Sequence, residues 1–327
     1  MRRATILLAL SFALVGLTLV ALLSGSVQLA LGDFLHGIFS GNATTQEQDA
    51  LKIIGQIRLP RVAGAIVIGA ALGIAGSLMQ GLFVNPLADP AFIGISAGGV
   101  LLSIISTSVG VASYGSLPNI AIATLGALAA ARLIPKRLAP LPFILVGFGL
   151  GSLWSASSSL ISAMQGRTSG PGTSLWAMGS LSLMTWPALL RLLPFLVLGT
   201  ILAWVISGNV DRMALGNRIA TFMGVRTGRM KLLGLVAGAL LVGSSAALSG
   251  VMTFVGLVVP NVLRPLVGAR LRILMPASAL GGALLLLAAD TLSRSMLSSG
   301  EVSLTLLLAI IGSPVLVLIL LREKASS

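Results

Sequence analysis

Few side chains here can do chemistry, and those that can stand at breaks between apolar runs. Among 327 residues there are eight Asp and Glu, one histidine, His36, and no cysteine. That leaves no His-based metal cluster or triad, no thiolate chemistry and no disulfide framework. No G-x-x-x-x-G-K-S/T run occurs, so the chain has no phosphate loop of that kind to cradle ATP. The most informative polar residues lie in RLPRVAGAIVIGAALGIAGSLMQGLFVNPLADPAFIGISAG, from Arg58 to Gly98. Arg58 and Arg61 open it, and Asn85-Pro86 and Asp89-Pro90 close it by repeating one pattern. In each pair a side chain that caps free amides precedes a ring tolerated in a first helical turn, so one helix stops there and another starts. Capping at a membrane surface and snorkelling of the arginines to headgroups account for the same residues.

Between Val62 and Val84 nothing ionises. At about 1.5 Å per residue that run crosses a hydrocarbon core of about 30 Å, with the arginines marking one face. Gly64, Gly69, Gly73 and Gly76 follow at spacings of five, four and three, leaving a helix face open to close backbone approach. The whole chain shares this character: 56% hydrophobic and 9% charged, with a mean hydropathy of +1.05, far from the roughly 25% charged residues of soluble domains. A net charge of +13 would point to nucleic acid in a soluble protein. Here the basic residues punctuate apolar runs as the positive-inside rule requires, and no nucleic-acid partner is needed.

The chain reads as an all-α integral membrane protein with about ten transmembrane helices in one polytopic domain, residues 1–327. The first span is Ala4 to Leu23, retained because roughly 20 apolar residues exceed the typical 7 to 15 of a signal h-region. The second runs to Val84, the third from Phe92 to Val109, the fourth from Ile120 to Leu133 and the fifth from Phe143 to Met164. The sixth runs from Trp186 to Ser207, the seventh from Leu232 to Leu248, the eighth from Thr253 to Leu266, the ninth from Ile273 to Ala289 and the tenth from Val302 to Leu321. Fifteen of the 21 basic residues then lie inside with both termini, the others being Lys52, Arg58, Arg61, Arg167, Arg191 and Arg294. Spans two to five and seven to ten form two four-helix groups entering from opposite faces, the geometry of an inverted repeat. Two further features stand out. Gly147, Gly151, Ser155 and Ser158 recur at four, four and three on the fifth span, for close packing or a wet path. Leu215, Ile219 and Phe222 make the basic inner segment 208–231 amphipathic and helical.

The runs RLPR, GSLMQGLFVNPLADPAFIGISAG, GVMTFVGLVVPNVLRPLVG and LMPASALGGALLLLAADTLSR, in that order, resemble the permease subunits of the FecCD-type family. These serve ABC importers for iron-siderophores, haem and cobalamin, and the similarity extends from about Gly55 to Arg322. The resemblance implies a type II importer fold in a bacterial inner membrane, without a cofactor. It implies a homodimer with two ATPase subunits and a soluble substrate-binding protein. Arg58, Arg61 and Arg294 match family arginines that dock the binding protein. The segment from Asp211 to Arg229, with Leu215, Arg218, Ile219, Phe222 and Arg226, is expected to seat in a groove of each ATPase. Gly147, Gly151, Ser155 and Ser158 are expected to line the pathway, Asn85, Pro86, Asp89 and Pro90 to form a cytoplasmic-side break, and SLWAMGS to be an outer re-entrant helix.

Two positions depart from the family pattern: Asn261 stands where His usually follows VVP, and Glu301-Val302-Ser303-Leu304-Thr305 replaces Glu-Leu-Pro-x-Gly. The expected cargo is an iron chelate, siderophore or haem, with cobalamin third. An ion-coupled secondary transporter, the main competing class, would need an acid or histidine at mid-depth, and spans two to five and seven to ten offer none. A scaffold would not need the serine-rich fifth span.

Overall fold

The computed structural model describes residues 2–24, 45–91, 94–133, 140–164, 179–296 and 301–326. Among these the secondary structure is helical, with no strand. The helices are α1 (Arg2–Leu23), α2 (Thr45–Lys52), α3 (Leu59–Phe83), α4 (Ile95–Ser108), α5 (Leu117–Leu133), α6 (Pro140–Met164) and α7 (Trp186–Met213). After them come α8 (Asn217–Phe222), α9 (Thr227–Gly238), α10 (Ser244–Ser249), α11 (Val255–Val267), α12 (Leu271–Ser295) and α13 (Leu304–Ser326). Wider π turns at Ile53–Arg58 and Ala239–Gly243 join α2 to α3 and α9 to α10. The first of these has a local cause. Leu59 N–H donates five residues back to the Ile54 carbonyl, immediately before Pro60, which has no N–H to continue the ladder. Arg58 therefore lies within continuous helix.

Five helical runs are long and apolar enough to cross a membrane: Arg3–Leu23, Ile53–Phe83, Trp186–Met213, Thr227–Ser249 and Leu271–Ser295. Five shorter apolar helices, Ile95–Ser108, Leu117–Leu133, Leu145–Ile161, Val255–Val267 and Leu304–Leu318, complete the expected set. The centre is α3, whose glycine stripe does what its spacing predicts. A Cβ on Gly69 would lie 2.4 Å from the Gly282 carbonyl oxygen of α12, and one on Gly73 would lie 2.0 Å from that of Ser278. Only a hydrogen fits at these positions, so the two backbones touch. On Gly76 a Cβ would meet the Gly256 carbonyl oxygen of α11 at 2.0 Å, which brings a second helix onto the same face.

The ends of the bundle sort as the charge pattern predicts. Arg58, Arg61, Arg294 and the C-terminus of α1 share one end, called outer below. At the other, inner end Asp211 Oδ1 accepts from Leu271 N at 2.9 Å, and Arg3 reaches the space beside Gly268.

Two span boundaries, the start of the third and the end of the sixth, differ from expectation. The third and eighth spans are short: α4 has 14 residues and α11 has 13, about 21 and 20 Å long against a core of about 30 Å. Each is preceded by non-helical chain packed inside the protein, where other protein groups meet its backbone polar groups. The sixth span does not stop near Ser207; α7 continues to Met213, so Gly208–Met213 is the tail of a 28-residue helix. Lys136, Arg137, Arg167, His36 and most of SLWAMGS lie outside the described residues.

Candidate functional site

Three places along the bundle gather the polar residues. At the outer end Arg58, Arg61 and Arg294 come together, but as buried, partnered groups at 5%, 6% and 8% exposure. Their burial and protein partners remove lipid snorkelling as the account of these arginines. Arg61 Nε donates to Asp290 Oδ1 at 2.8 Å, and its two Nη atoms grip Glu301, one at 2.9 Å from Oε2 and the other on Oε1. Arg294 Nε lies 3.1 Å from Asp290 Oδ2 on the same helix, close enough for an ion pair though not aligned as a hydrogen bond. Arg58 Nη1 donates to the Leu22 and Leu23 carbonyls at 2.7 and 3.0 Å, and Arg294 donates to those of Ala21 and Ser24 at 3.2 Å each. Two cations thus cap the last turn of α1, where carbonyls lack helical partners and the dipole is negative. Burial by itself raises the Glu301 carboxyl, but hydrogen bonds from Arg61 and Ser180 and the charges of Arg61 and Arg294 hold it below the usual carboxylate range.

Toward the inner end of α3 the two non-helical breaks meet. Val84 ends α3 in the left-handed region at φ 48°, and Phe254 precedes α11 at φ 69°, both costly for residues with a side chain. Asn85 Oδ1 accepts from Leu87 N at 2.9 Å and Asp89 Oδ1 from Ala91 N at 2.7 Å. These side chains fold the break into turns and do not cap α4, which starts at Ile95 behind Gly94 with no side-chain cap. The break also lies deeper than a surface cap would. Asp89 is buried, and a Cβ on Gly256 would lie 2.9 Å from its Oδ2 and 3.1 Å from Gly76 Cα. Since Gly76 is seven residues from the end of α3, that level is about 10 Å in from its inner end. The expectation concerned acids at mid-depth within the spans; Asp89 is carried into the bundle by the break that follows the second span.

Asn261, the departure from the family pattern, ties the breaks together by donating from Nδ2 to the Pro86 and Leu257 carbonyls at 2.8 Å each. Pro260 has no N–H for the Gly256 carbonyl four residues back, and Gln80 Nε2 serves that carbonyl at 3.2 Å. Arg264 in turn donates to Gln80 Oε1 at 2.5 Å.

Beside the breaks is a cavity of about 210 Å³ lined by Ala97, Val100, Ser155, Ser158, Ser159, Val251 and Thr305. The α6 stripe therefore divides. Ser155 and Ser158 border the cavity, whereas the backbones of Gly147 and Gly151 face Gly94, leaving 3.1 to 3.2 Å for any Cβ there.

At the inner end α8 is a six-residue helix set off by Gly216 and Gly224, at φ 105° and 81°, conformations that glycine adopts readily. Ala220 and Val225 anchor it, while Leu215, Ile219 and Phe222 point outward, Phe222 at 92% exposure. Arg218 and Arg226 stand on the same segment. Asp211 is set apart from this face, because its carboxylate serves the first amide of α12.

Sequence reasoning missed Asp290, Glu301, Gln80, Ser180 and Thr305 as site residues. Only Asp290 and Arg294 left a local signal, an acid and a base four apart on one helix.

Discontinuous helices around a buried break, within a ten-span apolar bundle, define a multi-pass membrane protein of the transporter class. The chain matches the FecCD transport family over residues 13–322 and belongs to it; it is the family of ABC importer permease subunits, whose ATPase activity resides in separate chains. The chain is 37% identical to the hemin transport system permease protein HmuU of Yersinia pestis, covering 91% of this chain and 93% of HmuU. It is 34% identical to the vitamin B12 import system permease protein BtuC of Vibrio cholerae, covering 97% and 95%. A solved structure described as the inward-facing conformation of an ABC transporter assigned to the metal-chelate type superposes with a TM-score of 0.79. It shares 27% identity and covers 98% of this chain and 99% of that one.

Proposed function

We propose that this chain is the permease of an ATP-driven importer that carries an iron chelate, siderophore or haem, from a soluble binding protein to the cytoplasm. Cobalamin is the alternative cargo. The observation that carries this reading is α8, a short helix on and beside which Leu215, Ile219 and Phe222 are exposed among the described residues. Three exposed apolar side chains rimmed by arginines suit insertion into a groove on a partner. The basic residues around them fit the cytoplasmic side, which makes both termini cytoplasmic.

A pathway between two copies accounts for the cavity. At about 210 Å³ it is smaller than the roughly 300 to 1,000 Å³ of ordinary ligand pockets, so a bulky chelate needs a second wall. Leu145, Phe148 and Leu153 of α6 and Leu306 and Ile310 of α13 are exposed beside it and supply an apolar surface for a second copy. Among the described residues no group of three or more metal-ligating side chains gathers, which suits passage of a metal already held by its chelator. Arg58, Arg61 and Arg294, gathered at the outer end, are the docking residues for the binding protein on this reading.

Affinity isolation of the chain from membranes in mild detergent tests the assembly. The expected complex holds two copies of this chain and two of an ATPase subunit by native mass. A chain recovered alone, active without any ATPase, would contradict the proposal.

A further inference from the structure

We infer that Glu301 is the exchangeable partner of Arg61: a carboxylate of the docked binding protein displaces it, and this frees the first turn of α13, which walls the serine-lined cavity. The inference rests on the docking role of Arg61 and adds a residue and a consequence to it.

Four of the five N–H donors of Arg61 are engaged, and the one left, on Nη1, offers a single point of attachment. Its planar fork engages Asp290 through Nε and Nη2, at 2.8 Å each, and Glu301 through both Nη atoms. An arriving carboxylate that grips the guanidinium with both oxygens can do so only where one of these acids leaves. Asp290 is wholly buried and also faces Arg294, so its departure would strand charges away from water. The Glu301 side chain is 24% exposed, so it can leave Arg61 at a smaller desolvation cost. Exchange therefore falls on Glu301.

What Glu301 holds in place is the mouth of the cavity. Ser180 Oγ donates to Glu301 Oε2 at 3.4 Å, Leu304 N to the Gly179 carbonyl at 3.0 Å, and Thr305 Oγ1 to the Val251 carbonyl at 2.6 Å. Thr305 and Val251 both line the cavity. In this set the bond to Arg61 is the one between two charged groups, and its Glu301 side is partly exposed, so a charged competitor acts there first. Once it is broken, the turn is held by neutral bonds alone.

The lack of cysteine makes single-cysteine reporters clean. Ser158→Cys reports on the cavity and Leu286→Cys, fully buried on α12, reports on the fold. Right-side-out membrane vesicles are treated with a membrane-impermeant maleimide, without any binding protein. Glu301→Gln is expected to raise the labelling rate of Ser158→Cys about tenfold, and Glu301→Asp, which keeps the charge, to leave it near the parent rate. Leu286→Cys should stay unlabelled throughout. An unchanged rate in Glu301→Gln overturns the inference. If Leu286→Cys also labels in that background, Ser180→Ala replaces it: faster labelling at Ser158→Cys supports the latch and an unchanged rate overturns it. The docking reading fails by a different result, unaltered association of the purified binding protein with Arg61→Gln.

Discussion

Gly73 shows how little room the centre of this protein leaves. Its missing Cβ would stand 2.0 Å from the Ser278 carbonyl oxygen, and that neighbour is backbone, which cannot rotate away. Gly73→Val should therefore force α3 from α12 and cost about 1 to 3 kcal/mol or more, the usual range for overpacking. A thermal melt of the purified chain in detergent, with Ala70→Val as the comparison at a half-buried position on the same helix, measures it; equal midpoints would contradict the packing account. The glycine stripe was legible in the sequence because four small residues on one helix face are a local pattern. The outer ion cluster was not. Asp290 and Glu301 stand 229 and 240 residues from Arg61, and no periodicity connects them. Reading the arginines as one group at the same end of the bundle missed the acids that neutralise them.

At the level of elements, the two short helices matter most. In each four-helix group the second member, α4 or α11, begins inside the bundle after a non-helical stretch. The first stretch was visible as Asn85-Pro86 and Asp89-Pro90. The second carries no such mark, and its strained residue, Phe254, would ordinarily be read as a helix or core position. Apolar runs alone do not show whether a helix crosses or only half-crosses, because both are built from the same residues. The inner element α8 was read more fully, since its apolar residues recur at helical spacing between charged ones. Its limits were not, as α7 extends through Asp211. Changing Ile219 and Phe222 to Asp should abolish stimulation of ATPase activity by substrate, and detach the ATPase on size-exclusion chromatography. The membrane bundle should keep its melting temperature, because both side chains face outward. Normal coupled turnover in that double variant would remove α8 as the contact. Asp211→Ala should behave differently, losing stability through the first turn of α12.

For the whole molecule, the arrangement links three levels along the membrane normal. Arg61 and its acids close the outer end, the paired breaks and the serine-lined cavity lie between, and α8 faces the inner side. On the proposed reading the energy for movement enters through α8 from a partner ATPase, as the family's ATPase activity resides in separate chains. The same reading has the cargo enter from the opposite end, with the breaks between as the places where backbone can change direction without unfolding a full span. The central claim is that transport by this chain is driven by ATP hydrolysis on a partner and carries a chelated metal. Proteoliposomes containing the chain with its co-isolated ATPase and binding protein, offered radiolabelled ferric siderophore or haem, test it most directly. The account predicts uptake that requires ATP on the α8 side and persists when ion gradients are collapsed. Uptake of free iron, or uptake driven by a proton or sodium gradient without ATP, would contradict it.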